Sequence, residues 1–179
     1  VSSNTELKDG DNIFIKTGNE FRGDNKTLYL NYNNLYKDIK KGEKILIDDG
    51  KIILKVIDID KKNQIIAEVI QGGMLSSNKG FNLPNTNISQ PALTEKDIED
   101  AIFSSKQNVD WIALSFVRNG SDIESLIKLL DKNTSHRIPV IAKIEKPEGV
   151  RNIDEIMKYA SGIMVARGDL GVEINAAEV

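Results

Sequence analysis

Two apolar runs near the C-terminus end in ionisable side chains. The first, Ile138 to Glu145, ends Lys143-Ile-Glu145, and the second, Gly162 to Gly171, ends Arg167-Gly168-Asp169-Leu-Gly171. A strand alternates its faces with period two, so Lys143 and Glu145 project to the same side. Ligand sites of parallel α/β proteins form beyond the ends of such strands. A cation beside a carboxylate there suits a site that holds a metal and an anionic substrate together. The plainer alternative is an exposed Lys–Glu pair just past a strand, which contributes little. The second run, ending the same way, favours a site.

Composition narrows the options. The chain has 179 residues, with 24 basic and 27 acidic side chains and a net charge of -3. Nothing here suggests a sequence-independent nucleic-acid surface. With no cysteine, disulfides and thiolate metal sites are excluded, and the single histidine, His136, reads as a loop residue. A Ser-His-Asp triad would need a partner chain. No apolar stretch approaches the ~20 residues that cross a bilayer, and the first residues carry no secretion pattern. The expectation is a soluble, cytoplasmic protein with no membrane partner.

The elements that must position these residues come in two styles. Residues 1–82 read as an all-β module, a small barrel or sandwich. Its β-prone runs are Asn12–Lys16, Thr27–Leu30, Lys44–Ile47, Lys51–Ile57 and Gln64–Ile70, with turns at 17–19, 48–50, 60–63 and Gly72-Gly73. Asp49-Gly50 signals a hairpin. Residues 83–179 alternate helix and strand: a helix from Thr94 to about Lys106, a strand at Asp110–Val117 buried on both faces, and a helix from Ser121 to about Lys132. A strand at Ile138–Ile144, a helix at Gly149–Tyr159 and a strand at Ile163–Ala166 follow. This order implies parallel strands with right-handed crossovers, and Trp111 reads as packed. Three parallel strands leave two open edges, so the expectation is part of a larger α/β protein, or pairing with another copy.

At Ile141-Ala-Lys-Ile-Glu-Lys-Pro-Glu-Gly-Val150 and Ser161-Gly-Ile-Met-Val-Ala-Arg-Gly-Asp-Leu-Gly-Val-Glu-Ile174 the sequence resembles the pyruvate kinase family. Ile47–Gly50, Gly80–Pro84 and Ala113–Arg118 are similar in order, so the likeness covers nearly the whole chain. The resemblance implies an α/β fold. Residues 1–82 would be the family's all-β lid domain, and residues 83–179 about three βα units of a (β/α)8 TIM barrel. It implies a glycolytic phosphotransferase that moves the phosphoryl group of phosphoenolpyruvate to ADP, giving pyruvate and ATP, within a homotetrameric parent. Lys143 would be the catalytic lysine beside the phosphoryl group, and Glu145 and Asp169 the Mg2+ ligands. Gly168 and Asp169 would offer backbone N–H groups to the substrate carboxylate. K+ would also be required, with its ligands, the phosphate-binding arginines and a positioning threonine outside this chain. Methionine in place of Lys143 is expected to remove most of the rate while leaving the fold. Arg167 reads as an ion-pair organiser, and Asp48 and Asp49 as hairpin residues.

Two departures stand out: Asn175 replaces the family's usual proline, and Asn78 occupies a position often basic, leaving Lys79 to make any nucleotide contact in that loop. Two rival readings remain. One is a Mg2+-dependent aldolase or lyase of the phosphoenolpyruvate/pyruvate type, against which the β module and the Lys143–Glu145 spacing argue. The other is a fragment that folds and binds without turnover.

Overall fold

The computed structural model describes residues 4–60, 64–174 and 179. The turn expected at 60–63 therefore lies largely outside the described residues, as does Asn175. The chain divides into two compact units, Val1–Ser89 and Gln90–Val179. Among the described residues no helix is long and apolar enough to cross a membrane.

The first unit contains β1 (Thr5–Leu7), β2 (Asn12–Lys16), β3 (Thr27–Tyr29), α1 (Leu35–Asp38), β4 (Lys44–Ile47), β5 (Ile52–Ile59), β6 (Ile65–Gln71), β7 (Gly73–Leu75) and β8 (Phe81–Asn82). Six strands form one sheet in the order β3-β2-β6-β5-β4-β8, and β1 pairs with β7 in a separate ribbon. The described pairings leave the sheet open at β3 and β8, where a closed barrel would have joined its ends. Alternation sets the core: Ile13 and Ile15, then Ile52, Leu54 and Val56, then Ile65, Ala67 and Val69 are buried on one face. The β4–β5 hairpin forms at the expected place, with Asp48, Asp49 and Gly50 all at positive φ.

Two expectations change here. Gly72-Gly73 is no simple turn, because Gly73 opens β7, and a Cβ on Gly72 would lie 2.1 Å from the carbonyl oxygen of Leu7 on β1. The unit also runs on past residue 82. The Ser89 N–H donates to Asp38 Oδ2 at 2.7 Å and the Thr86 hydroxyl to Glu43 Oε2 at 2.7 Å, tying the segment after β8 back onto the sheet unit.

The second unit contains α2 (Glu95–Ser105), β9 (Ile112–Leu114), α3 (Gly120–Asn133), β10 (Val140–Ile144), α4 (Pro147–Arg151), α5 (Ile153–Ile156), β11 (Gly162–Val165) and α6 (Arg167–Glu173). Both long helices start at capping boxes, Thr94 with Asp97 and Asn119 with Asp122, which satisfy the orphan N–H groups of the first turn. Strands β9, β10 and β11 are parallel, with β10 central. Ile123, Leu126 and Leu130 of α3 are buried with Val140, Ala142 and Ile144 of β10 in one core cluster. The opposite face of the sheet is open: Ala113 and Met164 are exposed and Trp111 is 52 % exposed, so Trp111 is not packed as expected. The strand expected over 110–117 ends at Leu114, since Phe116 turns to a φ of 54°. The helix expected over 149–159 breaks at Asn152, whose backbone leaves helical geometry at ψ 16°.

A candidate cation-and-anion site at a strand end

Lys143 is the penultimate residue of β10 and Glu145 follows directly after the strand. The structure brings them together: Lys143 Nζ lies 2.6 Å from Glu145 Oε1. Glu145 is only 1 % exposed, so this is not the surface pair that the plainer reading supposed. A buried carboxylate must be satisfied, and the neighbouring chain does so. The Phe116 N–H donates to Glu145 Oε2 at 2.7 Å, and Lys143 Nζ donates to Ser115 Oγ at 2.9 Å. Each donor or acceptor charge shortens and strengthens these bonds.

The chain leaves β9 sharply to provide those contacts. Phe116 is half exposed and stands at a φ of 54°, a conformation that bulky residues adopt only when their surroundings impose it. Immediately afterwards Val117 crosses Gly149 of α4. A Cβ at residue 149 would lie 2.6 Å from the Val117 carbonyl oxygen, so glycine there permits the close approach. The motif glycine thus has a packing role beside the site.

Gly168 and Asp169 occupy the first turn of α6, which follows β11. Strand β11 lies beside β10, with Ile144 opposite Val165, and the Ala166 N–H donates to the Ile144 carbonyl at 3.2 Å. Both residues are exposed, and first-turn N–H groups have no intrahelical acceptor. A Cβ on Gly168 would meet nothing within 4 Å, and its φ is unexceptional, so packing does not explain glycine there. No hydrogen bond or ion pair among the described residues joins Asp169 to Lys143 or Glu145. Arg167 is exposed and makes no ion pair among the described residues.

Four participants escaped the sequence reading. Ser115 and Phe116 hold the Lys143–Glu145 pair. Lys146, next to Glu145, forms a buried ion pair with Glu173 at the end of α6. Their separation of 27 residues carries no periodic signal that could have linked them. In the first unit, Asp48 takes Lys79 Nζ at 3.0 Å and Lys51 Nζ at 3.1 Å, and these ammonium groups hold its carboxyl below the usual range. Lys79 is therefore engaged within its own unit.

The second unit's topology and this strand-end cluster define a class: parallel α/β proteins that bind ligands beyond the C-terminal ends of their strands. The family described as pyruvate kinase, barrel domain, matches residues 1–179. Among curated relatives, the pyruvate kinase of Clostridium perfringens is 47 % identical over 94 % of this chain and 35 % of its own length. That of Geobacillus stearothermophilus is 46 % identical over 97 % and 30 %. That of Mycobacterium tuberculosis is 41 % identical over all of this chain and 37 % of its own. The chain belongs to the pyruvate kinase family, a family of transferase enzymes. It spans about a third of the length of these relatives.

Proposed function

We propose that this chain is the lid and central barrel portion of a pyruvate kinase, and that its strand-end site helps move the phosphoryl group of phosphoenolpyruvate to ADP, yielding pyruvate and ATP. One observation carries the reading: a lysine ammonium 2.6 Å from a carboxylate only 1 % exposed, at the end of a parallel strand. Such a pair is weak evidence for stability, so its place at a strand end, with the lysine still partly exposed, supports a site built for a cation and an anion together. The lid domain, expected over residues 1–82, then runs on to Ser89, and residues 90–179 supply three βα units of a (β/α)8 barrel. The parallel order β9-β10-β11 with intervening helices supports that assignment.

Glu145 and Asp169 are the carboxylates that would hold Mg2+. Among the described residues no group of three or more His, Cys, Asp or Glu forms a fuller cage. Two carboxylates suit an ion that keeps waters and substrate oxygens as its other ligands. Glu145 also fits chemically, since each carboxylate oxygen has a second lone pair beyond the one its present donor uses. When bound, Mg2+ supplies charge neutralisation at the phosphoryl oxygens.

Lys143 acts as a point charge beside the phosphoryl group. It stabilises that group's negative charge while the bond to the enol oxygen breaks and the bond to the terminal phosphate oxygen of ADP forms, leaving the enolate of pyruvate, which takes a proton at its methylene carbon to give pyruvate. The N–H groups of Gly168 and Asp169 take the substrate carboxylate, and the open space over Gly168 lets an anion reach the main chain. K+ ligands and phosphate-clamping arginines lie outside this chain, and the parent is a cytoplasmic homotetramer. A lactate-dehydrogenase-coupled assay on the product of the full reading frame tests the function. Pyruvate formation that requires phosphoenolpyruvate, ADP and Mg2+ is expected; no pyruvate from these substrates contradicts it.

A further inference from the structure

We propose that the buried Lys146–Glu173 ion pair is a positioning device that sets where Asp169 stands relative to Glu145. The inference rests on the metal-binding reading above. Lys146 follows Glu145 directly and is the N-cap of α4, while Glu173 is the last residue of α6. Both are buried, at 9 % and 8 % exposure. Asp169 and Glu173 are four apart on α6, so they share one helix face, a turn from each other. The pair thus joins the residue beside one carboxylate to the residue one turn below the other.

Helix α6 needs such a tie. It has seven residues, and its N-cap residue, Ala166, makes no side-chain capping bond. So short a helix is not stable by itself. Among the described residues, the buried Leu170 and the Ala166 N–H bond to Ile144 also hold it. Leu170 resists lifting of the helix but tolerates rotation and sliding, because apolar contact is not directional. An ion pair fixes direction. A well-packed apolar pair would serve stability as well or better than a buried salt bridge, so stability alone does not account for charged residues there.

The test uses the full reading frame, with Mn2+ as the probe ion and its binding read by electron paramagnetic resonance without substrate. Thermal unfolding is followed in parallel. In Glu173→Gln, unfolding comes earlier and Mn2+ affinity falls about 10-fold or more, as when a support of a metal ligand is lost. The double variant Lys146→Met/Glu173→Leu separates the roles, since it restores unfolding towards wild type while Mn2+ affinity stays reduced and the KM for phosphoenolpyruvate stays raised. Wild-type Mn2+ affinity in the double variant would overturn the inference and leave the pair a packing feature only. Glu145→Gln is the control for the underlying reading: it loses Mn2+ binding whether or not the ion pair positions Asp169. Unaltered Mn2+ affinity in Glu145→Gln would instead overturn the metal site itself, and the inference with it.

Discussion

Glu145 sets the energetics of the site. Its carboxylate is buried, with Lys143 on one oxygen and a peptide N–H on the other. Removing Lys143 leaves that charge short of a partner, so Lys143→Met will not be silent for the fold, as the sequence alone suggested. We expect a loss of about 2–3 kcal/mol in urea denaturation, below the full buried-pair value because the lysine is partly exposed and the Phe116 N–H remains. An unchanged midpoint would show that the pair is not coupled to stability. Chelating divalent ions, in contrast, should lower the wild-type melting temperature only by the small amount that mass action on a bound ion requires, because the lysine already balances the carboxylate. A large drop on adding chelator to the wild type would contradict that. The Lys143–Glu145 pairing was legible from period-two spacing. Its supports were not, because nothing in Ser115-Phe116 signals an aromatic residue at positive φ.

Among the elements, the start of the first long helix and the long strands could be read directly. The helix expected from Thr94 is capped there with Asp97, and β2 matches its β-prone run residue for residue, whereas the Asn119 cap with Asp122 was missed and that helix was expected only from Ser121. The short ribbon β1–β7 was missed because three-residue strands carry too little alternation, and the break at Asn152 because no glycine or proline marks it. Tight packing between elements gives a direct test. Gly149→Ala drives a Cβ to 2.6 Å from the Val117 carbonyl, where only backbone movement can relieve it. A destabilisation of about 1–3 kcal/mol is expected, read by denaturant unfolding; a neutral result would show that the α4 contact yields easily. In the first unit, α1 is tied to the segment after β8 through Asp38. Burial opposes ionisation of this carboxyl, but hydrogen bonds from the Ser89 N–H and from the Tyr32 and Ser89 hydroxyls outweigh it, so it titrates below its ordinary range. The unfolded chain therefore takes up the proton first as pH falls. This contribution is complete above about pH 4 and is lost as pH drops through the lower folded value. Asp38→Asn should flatten the acid limb of the first unit's stability curve, followed by circular dichroism; an identical acid limb would rule out this linkage.

The two units differ in how far their sequences disclosed them. The α/β alternation gave parallel strands in the expected order, because buried apolar runs separated by capped helices leave few topologies. The open edges of the six-stranded sheet and the reach of the first unit to Ser89 depend on side-chain ties such as Asp38 to Ser89, which no local pattern encodes. Because the chain spans about a third of its relatives, the 179-residue chain by itself is expected to show no phosphoenolpyruvate turnover in the coupled assay. Robust pyruvate formation would mean that these residues suffice. The most direct test of the account is the turnover number of Lys143→Met in the full reading frame, with phosphoenolpyruvate, ADP and Mg2+ saturating, at a temperature where the variant is folded. Loss of about 100-fold or more is predicted for removal of a charge that acts on the moving phosphoryl group. A turnover number within a few-fold of wild type would contradict it.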